Sequence, residues 1–368
     1  MKQIPILDLS PQYLRLKPEI DRAITSVMEG GHFIMGKEVE LFEAEVAKYS
    51  GVKFAVGLNS GTDALVIGLR ALGIGAGDEV ITSSFSFFAT AEAVSLLGAK
   101  PVFVDIDQET MNLNPALFAK ALTKKTKAII PVHLFGLGCD MNPILEFAQK
   151  HSLKVLEDCA QSFGGYDTRT GRFLGSMGDA AALSFFPSKN LGAAGDAGML
   201  LTNDSTVAEQ ARALRTHGGK KKYYNETVGY NSRLDTLQAA ILRVKFPHLD
   251  AWNKERLQIA ARYHEKLAGL SGIKLPALAP GHAFHQFTIR LTKMPRGDVQ
   301  SLLSARGIST MVYYPVPIHH LPVYEGQYGA LPECEKASGQ VLSLPIGPGM
   351  PLEDVDTVAQ ELWRILSQ

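Results

Sequence analysis

Ser184-Phe185-Phe186-Pro187-Ser188-Lys189-Asn190-Leu191-Gly192 reads as the end of a strand running into a turn of small residues, with a lysine where the strand stops. α/β enzymes place chemistry at such ends. About thirty residues upstream, the spacing of one βα unit with its connection, Lys154-Val155-Leu156 ends in the acidic pair Glu157-Asp158. A lysine and a carboxylate at neighbouring strand ends suit pyridoxal 5'-phosphate (PLP). The amine can condense with the cofactor aldehyde, and a buried carboxylate can keep the pyridine nitrogen protonated so that the ring accepts electrons. Neither residue suffices alone.

Outward from this pair, the chain from Val52 to about Thr202 alternates short apolar runs with longer amphipathic ones, the pattern of a mostly parallel sheet covered by helices. Strands are expected to begin at Phe54, Val80, Val102, Ile129, Val155, Ala181 and Met199. Asp63 to Leu72 and Asn142 to Lys150 carry apolar residues at helical spacing. A helical stretch from Leu249 to Leu270 leads into Pro276, Pro280 and Gly281, a shift in composition that marks a second unit. There Phe284 to Leu291 is expected as a strand, with Asp298 to Ala305 and Leu352 to Leu366 as helices. The expectation is an α/β protein with a large domain over 1–248 and a smaller C-terminal α/β domain over 249–368.

A chain of 368 residues can bury a core of this size. Its 37 basic and 37 acidic side chains cancel, so no global attraction to nucleic acid or an anionic membrane is expected. The N-terminal residues lack the apolar core of a signal peptide, and no run approaches the ~20 apolar residues of a membrane span. Cys139, Cys159 and Cys334 are odd in number and share no metal-ligand spacing. These features point to a cytoplasmic protein without a structural metal.

Other polar positions are open to two readings on the residues alone. Asn59-Ser60-Gly61-Thr62-Asp63 follows a strand and opens a helix, so its amides can meet a phosphate, yet Ser, Thr and Asp are also ordinary N-caps. Asp158 can itself be such a cap, and Ser184 a satisfied strand-end hydroxyl. Three phenylalanines at Phe85, Phe87 and Phe88 are usually core. Asn231 reads as a turn residue, and Arg233 as half of a salt bridge to Asp235 or as an anion contact. Lys220-Lys221-Lys222-Tyr223-Tyr224 is either a solvated loop or a contact for a nucleotide diphosphate. Phe33 and Ile34 are equally explained by packing, and His319 by an exposed loop.

Three segments resolve much of this by resemblance. Glu157-Asp158-Cys159-Ala160-Gln161-Ser162 resembles the "E-D-A-A-Q" segment of the DegT/DnrJ/EryC1/StrS family of PLP-dependent nucleotide-sugar aminotransferases. Ser184 to Gly198 is similar to its "S-F-F-P-x-K-N-L-G-x-x-G-D-x-G", and Gly229 to Asp235 to its "G-x-N-x-R-L-D". Ile4, Leu7, Asp8 and Leu9, and Tyr314-Pro315-Val316-Pro317-Ile318-His319, extend the match over almost the whole chain. Cys159 stands where alanine is commoner, and Ala193-Ala194 replaces a more usual Cys-Tyr. These changes leave cofactor binding intact while altering the shape of the pocket.

The resemblance implies the fold-type-I aminotransferase architecture. It makes Lys189 the Schiff-base lysine and Asp158 the partner of the pyridine nitrogen, both catalytic. Gly61, Thr62 and Ser184 are then phosphate contacts, Phe87 the aromatic stacked on the ring, and Gln161 the partner of the ring hydroxyl. Asn231 reaches the phosphate of the other subunit's PLP, which implies a homodimer with shared sites. Phe33, Arg233, Tyr313, Tyr314 and His319 fall on the substrate side. The implied reaction carries the amino group of L-glutamate to a keto group of a UDP- or dTDP-linked hexose and leaves 2-oxoglutarate. The run from Asn231 to Leu242 is closer to members aminating C3 than to those acting on C4. Two further readings share the fold. A sugar 3-dehydratase carries histidine in place of the lysine, against Lys189, and a non-catalytic sensor does not need the complete set of Lys189, Asp158 and Ser184.

Overall fold

The computed structural model describes residues 2–221 and 223–367. Two helices, α1 (Ser10–Gly30) and α2 (Lys37–Ser50), precede an alternating run: β1 (Phe54–Leu58), α3 (Gly61–Ala71), β2 (Glu79–Ser83), α4 (Ala89–Leu96), β3 (Lys100–Val104), α5 (Phe118–Ala121), β4 (Thr126–Ile130), α6 (Met141–His151), β5 (Lys154–Asp158), β6 (Ala180–Ser184) and β7 (Gly198–Thr202). The seven strands form one sheet in the order β1-β7-β6-β5-β4-β2-β3, parallel throughout except for β7, which runs against both neighbours. Such strands are apolar on both faces because helices cover both. Alternate residues divide between two cores. Val155, Leu183, Met199 and Leu201 face the side covered by α1, α2, α5 and α6, whereas Leu156, Ala180, Ala182 and Leu200 face α3 and α4.

After α7 (Ser205–Leu214) and the short hairpin β8 (Gly219–Lys221) and β9 (Tyr224–Asn225), α8 (Thr236–Lys245) returns to the first face of the sheet. α9 (Leu249–Leu267) then spans two cores, with Trp252 in the large one and Ile259, Tyr263 and Leu267 in the small one. The small unit holds β10 (Ile273–Lys274), β11 (Phe287–Leu291), α10 (Arg296–Ser304), α11 (Pro332–Gln340), β12 (Val341–Leu344) and α12 (Leu352–Leu366), its three strands antiparallel in the order β10-β11-β12. The chain start also packs here. Ile4 pairs with Ile308 and is buried among α9, β11 and α12.

Several element boundaries shift from expectation by up to three residues, and at β11 the structure gives a reason. β11 starts at Phe287 rather than Phe284, because Phe284 adopts φ 40° and interrupts the extended backbone. A bulky side chain at positive φ costs about 1–3 kcal/mol and needs support from its surroundings. Among the described residues, no helix is long and apolar enough to cross a membrane.

Candidate active site

The carboxyl ends of β5 and β6 open into a cavity of about 450 Å³, whose wall includes Lys189, Asp158, Gly61, Thr62, Phe87, Gln161, Ser184, Tyr313 and Tyr314. The adjacent acids of β5 point to opposite faces, as strand geometry requires. Glu157 faces inward, where its carboxylate accepts the amides of Gly175, Met177 and Gly178 and lies 3.0 Å from His133 Nε2. His133 Nδ1 accepts the Cys139 amide, so Nε2 carries the ring proton. Burial works against the Glu157 charge, but His133 and these amides hold its pKa below the ordinary carboxylate range.

Asp158 faces the cavity. Its Oδ2 accepts the Thr90 hydroxyl at 2.8 Å and its Oδ1 the Ala160 amide at 3.1 Å. Burial nevertheless raises its pKa, with Thr90, Ala160 and Lys189 pulling the other way. A buried carboxylate in this state calls for a cationic partner. Burial pushes Lys189 down to about 8, against the attraction of Asp158. Its amine is therefore accessible in the neutral form near physiological pH.

One end of the cavity is built by the start of α3. Ser60 caps the helix by accepting the Asp63 amide at 3.1 Å, and its carbonyl accepts from Ala64 at 3.0 Å. Among the described residues, the amides of Gly61 and Thr62 have no partner, at the positive end of an 11-residue helix. A Cβ at Gly61 would lie 2.6 Å from that of Ser184, and one at Gly198 would lie 2.2 Å from the carbonyl of Ser60. Glycine at both places lets the turn press against β6 and β7. Phe87 is 59% exposed while Phe85 is 1%, so of these two rings Phe87 is left to face the cavity. Gln161 accepts the Phe135 amide at 2.7 Å and donates to the Tyr314 hydroxyl at 3.0 Å.

Free amides at a helix N-terminus, an exposed ring, a buried carboxylate of raised pKa and a lysine of lowered pKa suit PLP at its phosphate, ring face, ring nitrogen and aldehyde. Comparison with known proteins decides the family. The model of the DegT/DnrJ/EryC1/StrS aminotransferase family matches residues 15–363.

The chain belongs to that family. Its cofactor is PLP, and it is an aminotransferase. Over 98% of this chain and 97% of the relative's, it is 50% identical to a protein of Geobacillus stearothermophilus named pleiotropic regulatory protein. It is 47% identical to the dTDP-3-amino-3,4,6-trideoxy-alpha-D-glucose transaminase of Streptomyces venezuelae, over 99% and 97% of the two chains. The same identity, over 99% and 98%, holds for an Acidithiobacillus ferrooxidans enzyme named as a 3-aminotransferase of UDP-N-acetyl-3-dehydro-alpha-D-glucosamine. The crystal structure of S. venezuelae DesV in complex with a ketimine intermediate superposes with TM-score 0.96 at 45% identity, all of both chains covered.

Four expected contacts of the aminotransferase do not reach this cavity within one chain. Asn231 is exposed and lines a separate hollow with Arg233, Ile34, Asn59 and Asp196, and Asp196 also lines the Lys189 cavity. Ser232 Oγ donates to Asn59 Oδ1 at 3.0 Å, tying this segment to the phosphate turn. Phe33 is 45% exposed, its carbonyl accepting the Thr236 amide. His319 is buried outside the cavity, with Nδ1 2.6 Å from Ser84 Oγ and Nε2 3.2 Å from Glu335 Oε1. These bonds fasten the 314–321 segment to Ser84, just after β2, and to Glu335 of α11. Lys221 and Tyr223 line an open groove with Arg233. Lys222 and the side chain of Lys220 lie outside the described residues.

Sequence reading missed Thr90, Asp196, His285 and Gln286, all of which line the cavity. Thr90 bonds a residue 68 positions away, a relation no local pattern carries. His285-Gln286 did leave a signal, two polar residues set into an apolar run at the entry of a strand.

Proposed function

We propose that the protein transfers the amino group of L-glutamate to the C3 keto group of a UDP- or dTDP-linked hexose, and that it works as a homodimer in the cytoplasm. The observation that carries the reading is the single cavity joining Lys189, Asp158 and the free amides of α3, in a chain 47% identical to two enzymes named for amination at C3. When bound, PLP supplies an aldehyde that exchanges amines and a ring that withdraws electrons from the carbon losing a proton. Gly61, Thr62 and Ser184 hold the phosphate, and Phe87 covers the ring. Asp158, buried and raised in pKa, keeps the pyridine nitrogen protonated. Lys189 Nζ, once released by the donor's amine, would take the proton from the donor's Cα and pass it to the cofactor's aldehyde carbon, and in the second half of the cycle would make the reverse transfer, ending on the acceptor's C3. Tyr313 and Tyr314 wall the acceptor side.

Asn231, exposed and outside its own chain's cavity, supports a dimer in which it serves the neighbour's phosphate. Phe33, Ile34 and Met35, 39–47% exposed in one run, support the same assembly. Three buried free thiols support a reducing compartment. The name of the Geobacillus relative favours a second reading, a regulator on the same fold, but the complete Lys189 and Asp158 set supports turnover.

The test incubates purified protein and PLP with glutamate and a panel of 3-keto and 4-keto sugars linked to UDP or dTDP. The expected result is 2-oxoglutarate formed together with a 3-amino sugar, located by NMR. Amination at C4 would overturn the regiochemistry, and absence of 2-oxoglutarate with every acceptor would favour the regulator.

A further inference from the structure

His285 is the buried titratable group of the cavity to which the mechanism above gives no role. It lines the same cavity as Lys189, and its Nδ1 is enclosed without a hydrogen-bond partner. The backbone that presents it is strained and held from four sides. Phe284, at φ 40°, has its amide bonded to His282 Nδ1 at 2.9 Å, and its ring stacks on His282 at 3.7 Å. The buried Arg256 donates to the carbonyls of Phe284 and His285. Gly136 approaches so closely that a Cβ there would lie 2.9 Å from the Phe284 nitrogen and 3.1 Å from that of His285. The Phe135 carbonyl accepts the Gln286 amide. Strain kept in place by this much support, directly before a cavity histidine, is the arrangement expected of a functional residue.

Lys189 supplies the matching need. Among the described residues its Nζ has no hydrogen-bond partner, and Asp158 already accepts from Thr90 and Ala160. When a donor amine displaces the lysine, the freed Nζ moves off the cofactor carbon and becomes an ammonium on taking the Cα proton. It then requires an acceptor. We infer that His285 is a positioning residue of the aminotransferase, its neutral imidazole accepting a hydrogen bond from the released Lys189 Nζ and holding it within reach of the donor carbon. Burial, with Lys189 and Arg256 adding repulsion, keeps the His285 pKa well below its ordinary value, so the ring nitrogen offers a lone pair rather than a second positive charge. The other titratable groups around the pair are Asp158 from β5, Asp196 before β7, Arg256 behind His285 on α9, and Tyr313 and Tyr314.

The inference rests on Lys189 being the cofactor-bearing lysine, and one experiment separates the two claims. Protein labelled with 13C at lysine Cε is titrated by NMR as apoprotein, PLP form and pyridoxamine phosphate form, with Lys189→Arg identifying the signal. In the PLP form the Lys189 titration should vanish. If it persists, the site assignment itself fails. In the pyridoxamine phosphate form, His285→Phe should lower the Lys189 midpoint by about one pH unit, the size expected when an ammonium loses a charge-assisted hydrogen bond. The apoprotein, where the two groups do not touch, should keep its midpoint near 8. His285→Gln, which restores an acceptor, should recover at least half of the shift. His285→Leu should repeat the Phe result and serves if the Phe variant does not fold. No shift in the pyridoxamine phosphate form, or the same shift in the apoprotein, would overturn the role for His285.

Discussion

Asp158 is where one atom's chemistry bears most on the reaction. Its carboxylate is buried, fixed by Thr90 and Ala160, and raised in pKa by burial. Asp158→Asn retains the shape and one acceptor, its amide NH2 meeting Thr90 as a donor, but removes the charge that stabilises a pyridinium proton. Stopped-flow measurement of the glutamate half-reaction should show a loss of several orders of magnitude, on the order of 10³-fold or more, while PLP still binds. A rate near wild type would remove Asp158 from the mechanism. The positions of Asp158 and Lys189 were legible in the sequence because Asp158 closes an apolar run at a strand end and Lys189 sits in the small-residue turn that follows another. Thr90 was not, since its bond to Asp158 joins side chains brought close only by the fold. His319 illustrates the reverse case. A histidine in a proline-rich segment reads as a loop ligand, yet Ser84 and Glu335 claim both ring nitrogens.

At the scale of elements, the turn between β1 and α3, proposed to hold the phosphate, has a geometry that two glycines permit. Gly198→Ala would bring a Cβ to 2.2 Å from the Ser60 carbonyl, forcing the turn away from β7 and its amides out of alignment. We expect PLP affinity, measured by fluorescence titration, to fall at least tenfold, on the order of the 1.4 kcal/mol that one or two weakened phosphate contacts represent. An unchanged affinity would show that this close packing does not set the turn. The strands of the large sheet were readable because burial on both faces writes continuous apolar runs into them, and every expected start lies within three residues of the observed one. Boundaries shifted where local conformation intervened, as at β11, whose first residues are taken up by the turn around Phe284. The crossing of the N-terminal segment to the small unit was not readable, because Ile4 pairs with a residue 304 positions later.

At the scale of the molecule, the proposal places each active site between two chains. A Lys189→Ala protomer retains Asn231, and an Asn231→Asp protomer retains Lys189 but projects an anion at its neighbour's phosphate. Mixed after subunit exchange, each heterodimer should hold one intact site and regain up to about half the activity of a normal dimer, with each parent alone severely impaired. Verified heterodimers without activity, or a fully active monomer, would show that Asn231 does not serve the partner. All of these expectations depend on one covalent fact. PLP-loaded protein is reduced with borohydride, digested, and its modified peptide sequenced by mass spectrometry. The account predicts a single pyridoxyl label on the Lys189 peptide Ser184 to Gly192, and labelling of another lysine, or of none, would contradict it.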